Sequence, residues 1–140
     1  MTERFFLDTN VLVYTFDAKA PRKQKVAREL VARALKDRDG VISCQVTQEF
    51  LNVALRKFTP AMSPSEAQTY LGRVLTPLCE VFPDSELYSD AVALAGKSGW
   101  TFYDSLIVAS AIAGRCRVLY SEDLQAGRVI QGVEIRNPFV

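Results

Sequence analysis

Short apolar runs alternate along the chain with longer stretches in which hydrophobic side chains recur every three or four residues, and this alternation predicts βαβ units around a mostly parallel sheet. Residues 4–8 read as a first strand. Val11 to Phe16 opens a helix, and a second helix over 21–37 carries Val26, Leu30, Ala34 and Leu35 at helical spacing with a basic opposite face. Gly40-Val41-Ile42-Ser43 reads as the next strand, and Cys44 to Phe58 as a helix that stops near Thr59-Pro60. Pro64 opens a helix that runs to about Leu75, Val81-Phe82 is a short strand, and Ser85 to Lys97 is helical until Gly99. Residues 103–113 form a helix that is apolar nearly all round and hence buried, followed by strands at Val118-Leu119-Tyr120 and Val133 to Ile135.

Totals narrow the chemistry. A chain of 140 residues with 49% hydrophobic content builds one compact domain. The net charge of +1 is far from the strongly basic surface of a protein that grips nucleic acid by phosphate neutralisation alone. Cys44, Cys79 and Cys116 are odd in number, widely spaced and in no CxxC pair, which argues against a disulfide framework or cysteine-rich zinc site and points to a reducing cytoplasm. No signal peptide or membrane-spanning stretch is expected, because Asp8 interrupts the first apolar run. There is no histidine. Serine and cysteine triads, histidine-pair ribonuclease chemistry, HExxH peptidases and His-bearing zinc sites therefore drop out, and no GxxxxGK[ST] or GxGxxG loop is present. Carboxylates remain as the chemical tools.

Four of the sixteen acids stand among apolar neighbours: Asp8, Glu49, Asp104 and Asp123. Asp8 and Asp123 each follow a strand, the edge where open α/β sheets place their binding crevice. Each also reads as a helix cap. Glu49 shares a helical stripe with Val46 and Val53, with the amides of Gln45 and Asn52 placed to hydrogen-bond it; alternatively it edges the stripe and reaches solvent. Asp104 shares its face with Ile107, Val108 and Ala111, while Thr101-x-x-Asp104 also reads as a capping box. Taken together, the four converge at one sheet edge, where like charges repel unless cations occupy the site. Mg²⁺, which prefers oxygen ligands and substrate phosphates, suits such a place and would bridge acidic protein to an anionic backbone.

At these positions the chain resembles the PIN-domain family, and within it the VapC-like toxin ribonucleases of bacterial and archaeal toxin–antitoxin modules. The resemblance spans nearly the whole chain and rests on FLDTNVLVY, QEFLNV, YDSLIVASA and LYSEDLQ, in matching order and spacing. It implies a single PIN-like α/β domain over residues 1–140, its central, mostly parallel sheet of four or five strands flanked by helices. It also implies a Mg²⁺ or Mn²⁺ site made by acidic side chains and hydrolytic cleavage of single-stranded RNA. Carried over by motif, Asp8 is a metal ligand with Thr9 and Asn10 beside it, Glu49 comes from the second motif, Asp104 is the central ligand, and Asp123 follows Ser121. Glu122 is an adjacent rival for the last role, and Leu124-Gln125 stands where many relatives have an aromatic residue. Relatives pair as homodimers and are silenced by an antitoxin protein.

The expectation is a cytoplasmic, metal-dependent endoribonuclease, the toxin of a toxin–antitoxin pair. The alternative is a non-catalytic PIN-like RNA- or protein-binding module. An aspartate-nucleophile phosphatase is a third reading, disfavoured because Asn10 replaces the second aspartate of D-x-D-x-T. Arg22, Lys23, Lys25 and Arg28 either flank an RNA path or form a solvated helix face, and Tyr14, Phe16, Phe102 and Tyr103 either stack on bases or pack in the core.

Overall fold

Phe5, Phe6 and Leu7 are all buried, so strand β1 (Phe5–Leu7) has protein on both faces, the environment of a parallel strand covered by helices on either side. The computed structural model describes residues 3–140; Met1 and Thr2, the first two residues of the expected domain, lie outside the described residues. After β1 come α1 (Thr9–Tyr14), α2 (Pro21–Asp37), β2 (Gly40–Ser43), α3 (Cys44–Arg56) and α4 (Pro64–Tyr70). A π-helical segment, Leu71–Leu75, leads into the single turn α5 (Thr76–Leu78). The rest is β3 (Cys79–Val81), α6 (Ser85–Ser98), α7 (Phe102–Ala113), β4 (Val118–Tyr120), β5 (Val129–Ile130) and β6 (Val133–Arg136).

The sheet order is β3-β2-β1-β4-β6-β5, parallel except for the edge strand β5. From β1 the chain builds outward through β2 to β3, then crosses back to place β4 on the other flank of β1. The boundary between β1 and β4 is therefore the topological switch point, and the crevice beyond the carboxyl ends of these two strands is where such sheets hold ligands. A backbone hydrogen bond from the Asp8 N–H to the Tyr120 carbonyl, at 3.0 Å, ties the two strand ends together.

Successive residues of β2 show how the layers stack. Gly40 lies directly under Ala34 of α2, while Val41, on the opposite face, meets Gly114 at the end of α7. Helix α7 is buried from Ser105 through Ala111, as its all-round apolar pattern predicts. The buried apolar side chains form a continuous core cluster that includes Phe5, Val41, Phe50, Val108 and Ile135.

Most predicted elements occur within one or two residues of their expected positions. Three local features differ. The helix expected to run from Pro64 to Leu75 is regular only to Tyr70: Pro77 has no N–H to donate to the Arg73 carbonyl, and the Thr76 N–H bonds instead to Leu71, five residues back. The sheet has six strands rather than four or five, because the two-residue β5 pairs with β6 across a hairpin. That hairpin turns on Gln131 (φ 48°) and Gly132 (φ 86°), the pair of left-handed residues that a type I′ turn needs. Finally, the widely spaced Cys44 and Cys79 meet at the β2–β3 edge as free thiols with sulfurs 3.9 Å apart. Burial raises the Cys79 thiol to about 11.

A Cβ on Gly40 would stand 2.1 Å from the Cβ of Ala34, and neither the strand nor α2 can move without disturbing the core. Gly40→Ala is expected to lower stability by about 3 kcal/mol, the scale of a core overpacking defect, read as a shift in the midpoint of denaturant unfolding with unchanged slope.

Candidate active site

Asp8 caps α1 from the end of β1, with extended backbone at φ −70° and ψ 160°. Its Oδ1 accepts from the Thr9 N–H at 2.7 Å and its Oδ2 from the Ser121 hydroxyl at 2.7 Å. Ser121 is fully buried after β4, and its Oγ accepts from the backbone N–H groups of Asp123 and Leu124, both at 3.3 Å. With those two donors on its lone pairs, the hydroxyl proton is committed to Asp8.

The next two residues reach two other acids. The Thr9 hydroxyl donates to Glu49 Oε1 at 2.5 Å, and the Asn10 amide donates to Asp123 Oδ2 at 3.0 Å. Asp8-Thr9-Asn10 thus connects the ends of β1 and β4 to the first half of α3. On α3, Gln45 Nε2 lies 3.3 Å from Glu49 Oε2 and 3.3 Å from the Tyr103 carbonyl at the start of α7. Gln45 links Glu49 to the turn that bears Asp104.

Asp104 occupies the first turn of α7, where Thr101 Oγ1 accepts its backbone N–H at 3.1 Å. That is one half of the predicted capping box. The other half, the Asp104 carboxylate accepting from the Thr101 N–H, is not made among the described residues, so this carboxylate is left without a hydrogen-bond donor. By contrast, Asp8 is both a helix cap and a member of the site. Asp123 caps nothing: the segment after β4 is a bend, and its carboxylate goes to Asn10.

Two adjacent acids separate clearly. Glu122 accepts from the Tyr14 hydroxyl at 2.6 Å and forms an ion pair with Lys23, which also lies over the Tyr14 ring. Burial would raise the Glu122 carboxyl, but Lys23 and Tyr14 outweigh it and hold it below the usual range. Glu122 is thereby neutralised away from the crevice, while Asp123 faces Asn10.

Asp123 is exposed rather than drawn inward, and Asn52 is exposed and makes no bond to Glu49. Gln45 and Asn52, seven residues apart, share one side of α3, but only Gln45, in the first turn, lies against the start of α7, where it bonds both Glu49 and the Tyr103 carbonyl. Tyr14 packs on Phe139 and gives its hydroxyl to Glu122, while Phe16 packs with Phe50, Phe58 and Tyr70 and keeps an exposed edge. Phe102 and Tyr103 remain exposed. In the basic stretch, Lys23 is spent on Glu122, and Arg28 donates to the Thr15 carbonyl at 2.9 Å.

A family model described as PIN domain matches residues 5–130. The chain belongs to the PIN-domain family. This PIN domain is 34% identical over 100 residues to Ribonuclease VapC7 of Mycobacterium tuberculosis, a match covering 71% of the chain and 61% of that relative. The chain thus spans less than two thirds of the length of the curated relative it matches. Among solved structures, it superposes on a toxin–antitoxin complex from Klebsiella pneumoniae with a TM-score of 0.69 at 18% identity, covering 95% of this chain and 96% of that one. The sarcin-ricin loop cleaving toxin VapC20 of M. tuberculosis gives a TM-score of 0.64 at 19% identity, with 85% and 89% coverage. FitAcB from Neisseria gonorrhoeae gives 0.62 at 17% identity, with 96% and 98% coverage. These three establish the likeness of the fold.

Within this PIN domain Asp8 is short of positive charge. Burial is the largest influence on its carboxyl and raises it to about 6; the Ser121 and Thr9 hydrogen bonds pull it down, and nearby Glu49 and Asp123 push it further up. The repulsion from Glu49 and Asp123 is the part of this shift that a bound cation would relieve. Two buried amide oxygens, Asn10 Oδ1 and Gln45 Oε1, also lack any donor, because their NH₂ groups are turned toward acids. The donors present are hard oxygens, the set that Mg²⁺ or Mn²⁺ prefers. Among the described residues no three acids are grouped closely enough to enclose an ion, so the tight four-acid pocket expected from the sequence is not preformed. An open half-site is still a fit for Mg²⁺, which keeps several waters and takes one or two carboxylates plus substrate oxygens.

The raised carboxyl of Asp8 has a definite sign in stability. Between its unfolded value near 3.8 and its folded value near 6, the folded state holds the extra proton, so the Asp8 contribution is lost as pH rises through that window. In metal-free protein, Asp8→Asn is expected to match the parent near pH 4 and to exceed it at pH 7 by up to about 3 kcal/mol, measured by chemical denaturation across pH.

Proposed function

We propose that this PIN domain is a metal-dependent endoribonuclease that hydrolyses RNA phosphodiester bonds, and that it is the toxin of a toxin–antitoxin pair. The observation on which this rests is the Asp8-Thr9-Asn10 turn, whose successive residues contribute one acid and hold two others at the crevice of the switch point. The match to Ribonuclease VapC7 supports the ribonuclease reading, and the likeness of the fold to a toxin–antitoxin complex supports a protein antitoxin as partner. A homodimer and a cytoplasmic setting belong to the same reading. Among the described residues no helix is long and apolar enough to cross a membrane.

Asp8, Glu49, Asp104 and Asp123 are the residues that would hold Mg²⁺ or Mn²⁺. When bound, such an ion supplies the positive charge that lets acids and an anionic phosphodiester share one crevice, and it lowers the pKa of water. The chain's own side chains prepare the ground. Ser121 fixes the Asp8 carboxylate in one orientation, Thr9 and Gln45 hold the two oxygens of Glu49, and Asn10 holds the exposed Asp123 carboxylate beside the end of β1. Asp104 brings a carboxylate free of competing donors. Glu122, neutralised by Lys23, takes no part. The phosphatase reading weakens further, since Asn10 at the second position serves Asp123 rather than a phosphate group.

One observation favours the second reading, a PIN-like module that binds RNA or protein without cutting: no three acids form a closed cage among the described residues. Metal titration separates the two. Catalytic use of the site requires millimolar Mg²⁺ or Mn²⁺ to raise the unfolding temperature, and the non-catalytic module predicts no such shift.

Purified protein is expected to cleave single-stranded RNA with Mg²⁺ or Mn²⁺ and to stop on chelation; cleavage that survives chelation counts against the proposal. Asp8→Asn and Asp104→Asn should keep the native circular dichroism spectrum and lose at least about a hundredfold in rate, while Glu122→Gln stays near the parent rate. Full activity in Asp8→Asn would reduce Asp8 to a helix cap, and full activity in Asp104→Asn would remove Asp104 from the site.

A further inference from the structure

The recess that shares Gln45 with the acids is not itself acidic. Between the start of α3 and the α6–α7 pair lies a cavity of about 340 Å³ whose walls include Gln45, Tyr88, Phe102, Tyr103, Leu106 and Ser110, with no charged residue among those lining it. We infer that this cavity is a nucleobase subsite, which takes the base beside the scissile phosphate and so sets where the RNA is cut. The inference rests on the ribonuclease reading and adds to it a specificity pocket.

Position is the first argument. Gln45 forms a wall of the cavity while its amide nitrogen bonds Glu49 and the Tyr103 carbonyl, so cavity and acids share a side chain. Asp104 follows Tyr103 directly, and Phe102, Tyr103 and Asp104 all belong to the first turn of α7. A phosphate held at the acids leaves its adjoining base within reach of this recess.

Chemistry is the second. Tyr88, Phe102 and Tyr103 are 44%, 37% and 66% exposed, and all three line this one recess. Tyr88 and Phe102 have ring centroids 6.3 Å apart, and Phe102 and Tyr103 5.6 Å. Such rings offer stacking faces to a base, which any phosphate-binding patch would not need. At the same time two polar atoms here have no partner: Ser110 Oγ, on a residue 1% exposed, and Gln45 Oε1. The Gln45 amide cannot be reversed to satisfy its oxygen, because that would turn the oxygen toward the Glu49 carboxylate and a carbonyl. A buried acceptor and a buried hydroxyl without partners are costly to stability and are the groups that read the edge of a base. The volume is at the small end of ligand pockets, room for one base rather than a folded RNA element. The absence of charge in the lining suits a neutral ring and leaves the phosphate to the acids and their cation.

The test uses the full chain with Mn²⁺ on an RNA pool randomised around a single-stranded segment, reading the nucleotides that flank each cut. The parent protein is expected to prefer one base at one position next to the cut. Tyr88→Ala and Ser110→Ala should each weaken that preference about tenfold, the size of a lost base stack or edge contact, and Ser110→Ala should match or exceed the parent in thermal stability. Cleavage with preference unchanged in both variants overturns the subsite and leaves the ribonuclease reading standing. If the parent cuts nothing, that reading fails on its own, and the subsite is then judged by titrating the four nucleoside 5′-monophosphates. Saturable binding lost in Tyr88→Ala upholds a base pocket, and no binding overturns it. A third result also overturns it: Tyr88→Ala converting a dimer into monomers in sedimentation with base preference intact, which would make this face a contact between copies.

Discussion

Like-charged side chains do not gather without help, and in this protein the help comes from one turn of backbone. Where β1 ends, Asp8, Thr9 and Asn10 open α1, and the geometry of a helix start sends their side chains in three directions. The Asp8 carboxylate takes the Thr9 N–H and the Ser121 hydroxyl, the Thr9 hydroxyl goes to Glu49, and the Asn10 amide goes to Asp123. Each hydrogen bond to an ionised acceptor is worth roughly 1.5–3 kcal/mol, which offsets part of the repulsion and desolvation that the cluster creates. The rest of the fold has to deliver two other segments, the end of β4 and the start of α3, to this turn. Parallel β1 and β4, joined by the bond from Asp8 to Tyr120, bring Ser121 and Asp123 to it, and α3 following β2 brings Glu49.

The contrast between neighbouring acids shows what distinguishes a site from a structural ion pair. Asp39 is 4% exposed and is held by Arg33, whose guanidinium also covers the Phe5 ring; Glu122 is held by Lys23 and Tyr14. Both have a cation. Asp8, Glu49, Asp104 and Asp123 have hydroxyl, amide or N–H donors, or none for the Asp104 carboxylate among the described residues, but no basic partner. Carboxylates arranged around a shared deficit of positive charge are poised for an ion and substrate from outside, whereas internally neutralised acids are not. The unpaired amide oxygens of Asn10 and Gln45 belong to the two side chains whose nitrogens bond Asp123 and Glu49.

Much of this was legible along the chain, and the reason is local. The period of apolar residues is imposed by which side of a helix or strand meets the core, so α2 and β2 occupy the residues their patterns predict, and the uniformly apolar α7 is buried as expected. Where an element depends on a short turn rather than on burial, the pattern was silent. β5 has two residues and exists because Gln131 and Gly132 take up left-handed conformations, and the π-helical segment exists because Pro77 withholds a donor. The motif FLDTNVLVY also marked Asp8, Thr9 and Asn10, since a carboxylate next to a buried strand calls for a reason in any fold.

Sequence alone determined the βαβ alternation, the absence of histidine and the singling out of carboxylates as candidate site residues, because these follow from composition and from periodicities that each segment carries by itself. Only the tertiary structure decided which acids meet. Glu122 and Asp123 are adjacent in the chain and alike in chemistry, yet Lys23 of α2 neutralises one and Asn10 of α1 engages the other. Gln45 and Asn52 are both amides on one side of α3, yet only Gln45, at the end of the helix nearest α7, reaches Glu49 and the Tyr103 carbonyl. These outcomes depend on contacts between residues as much as 113 positions apart, and no local pattern encodes them.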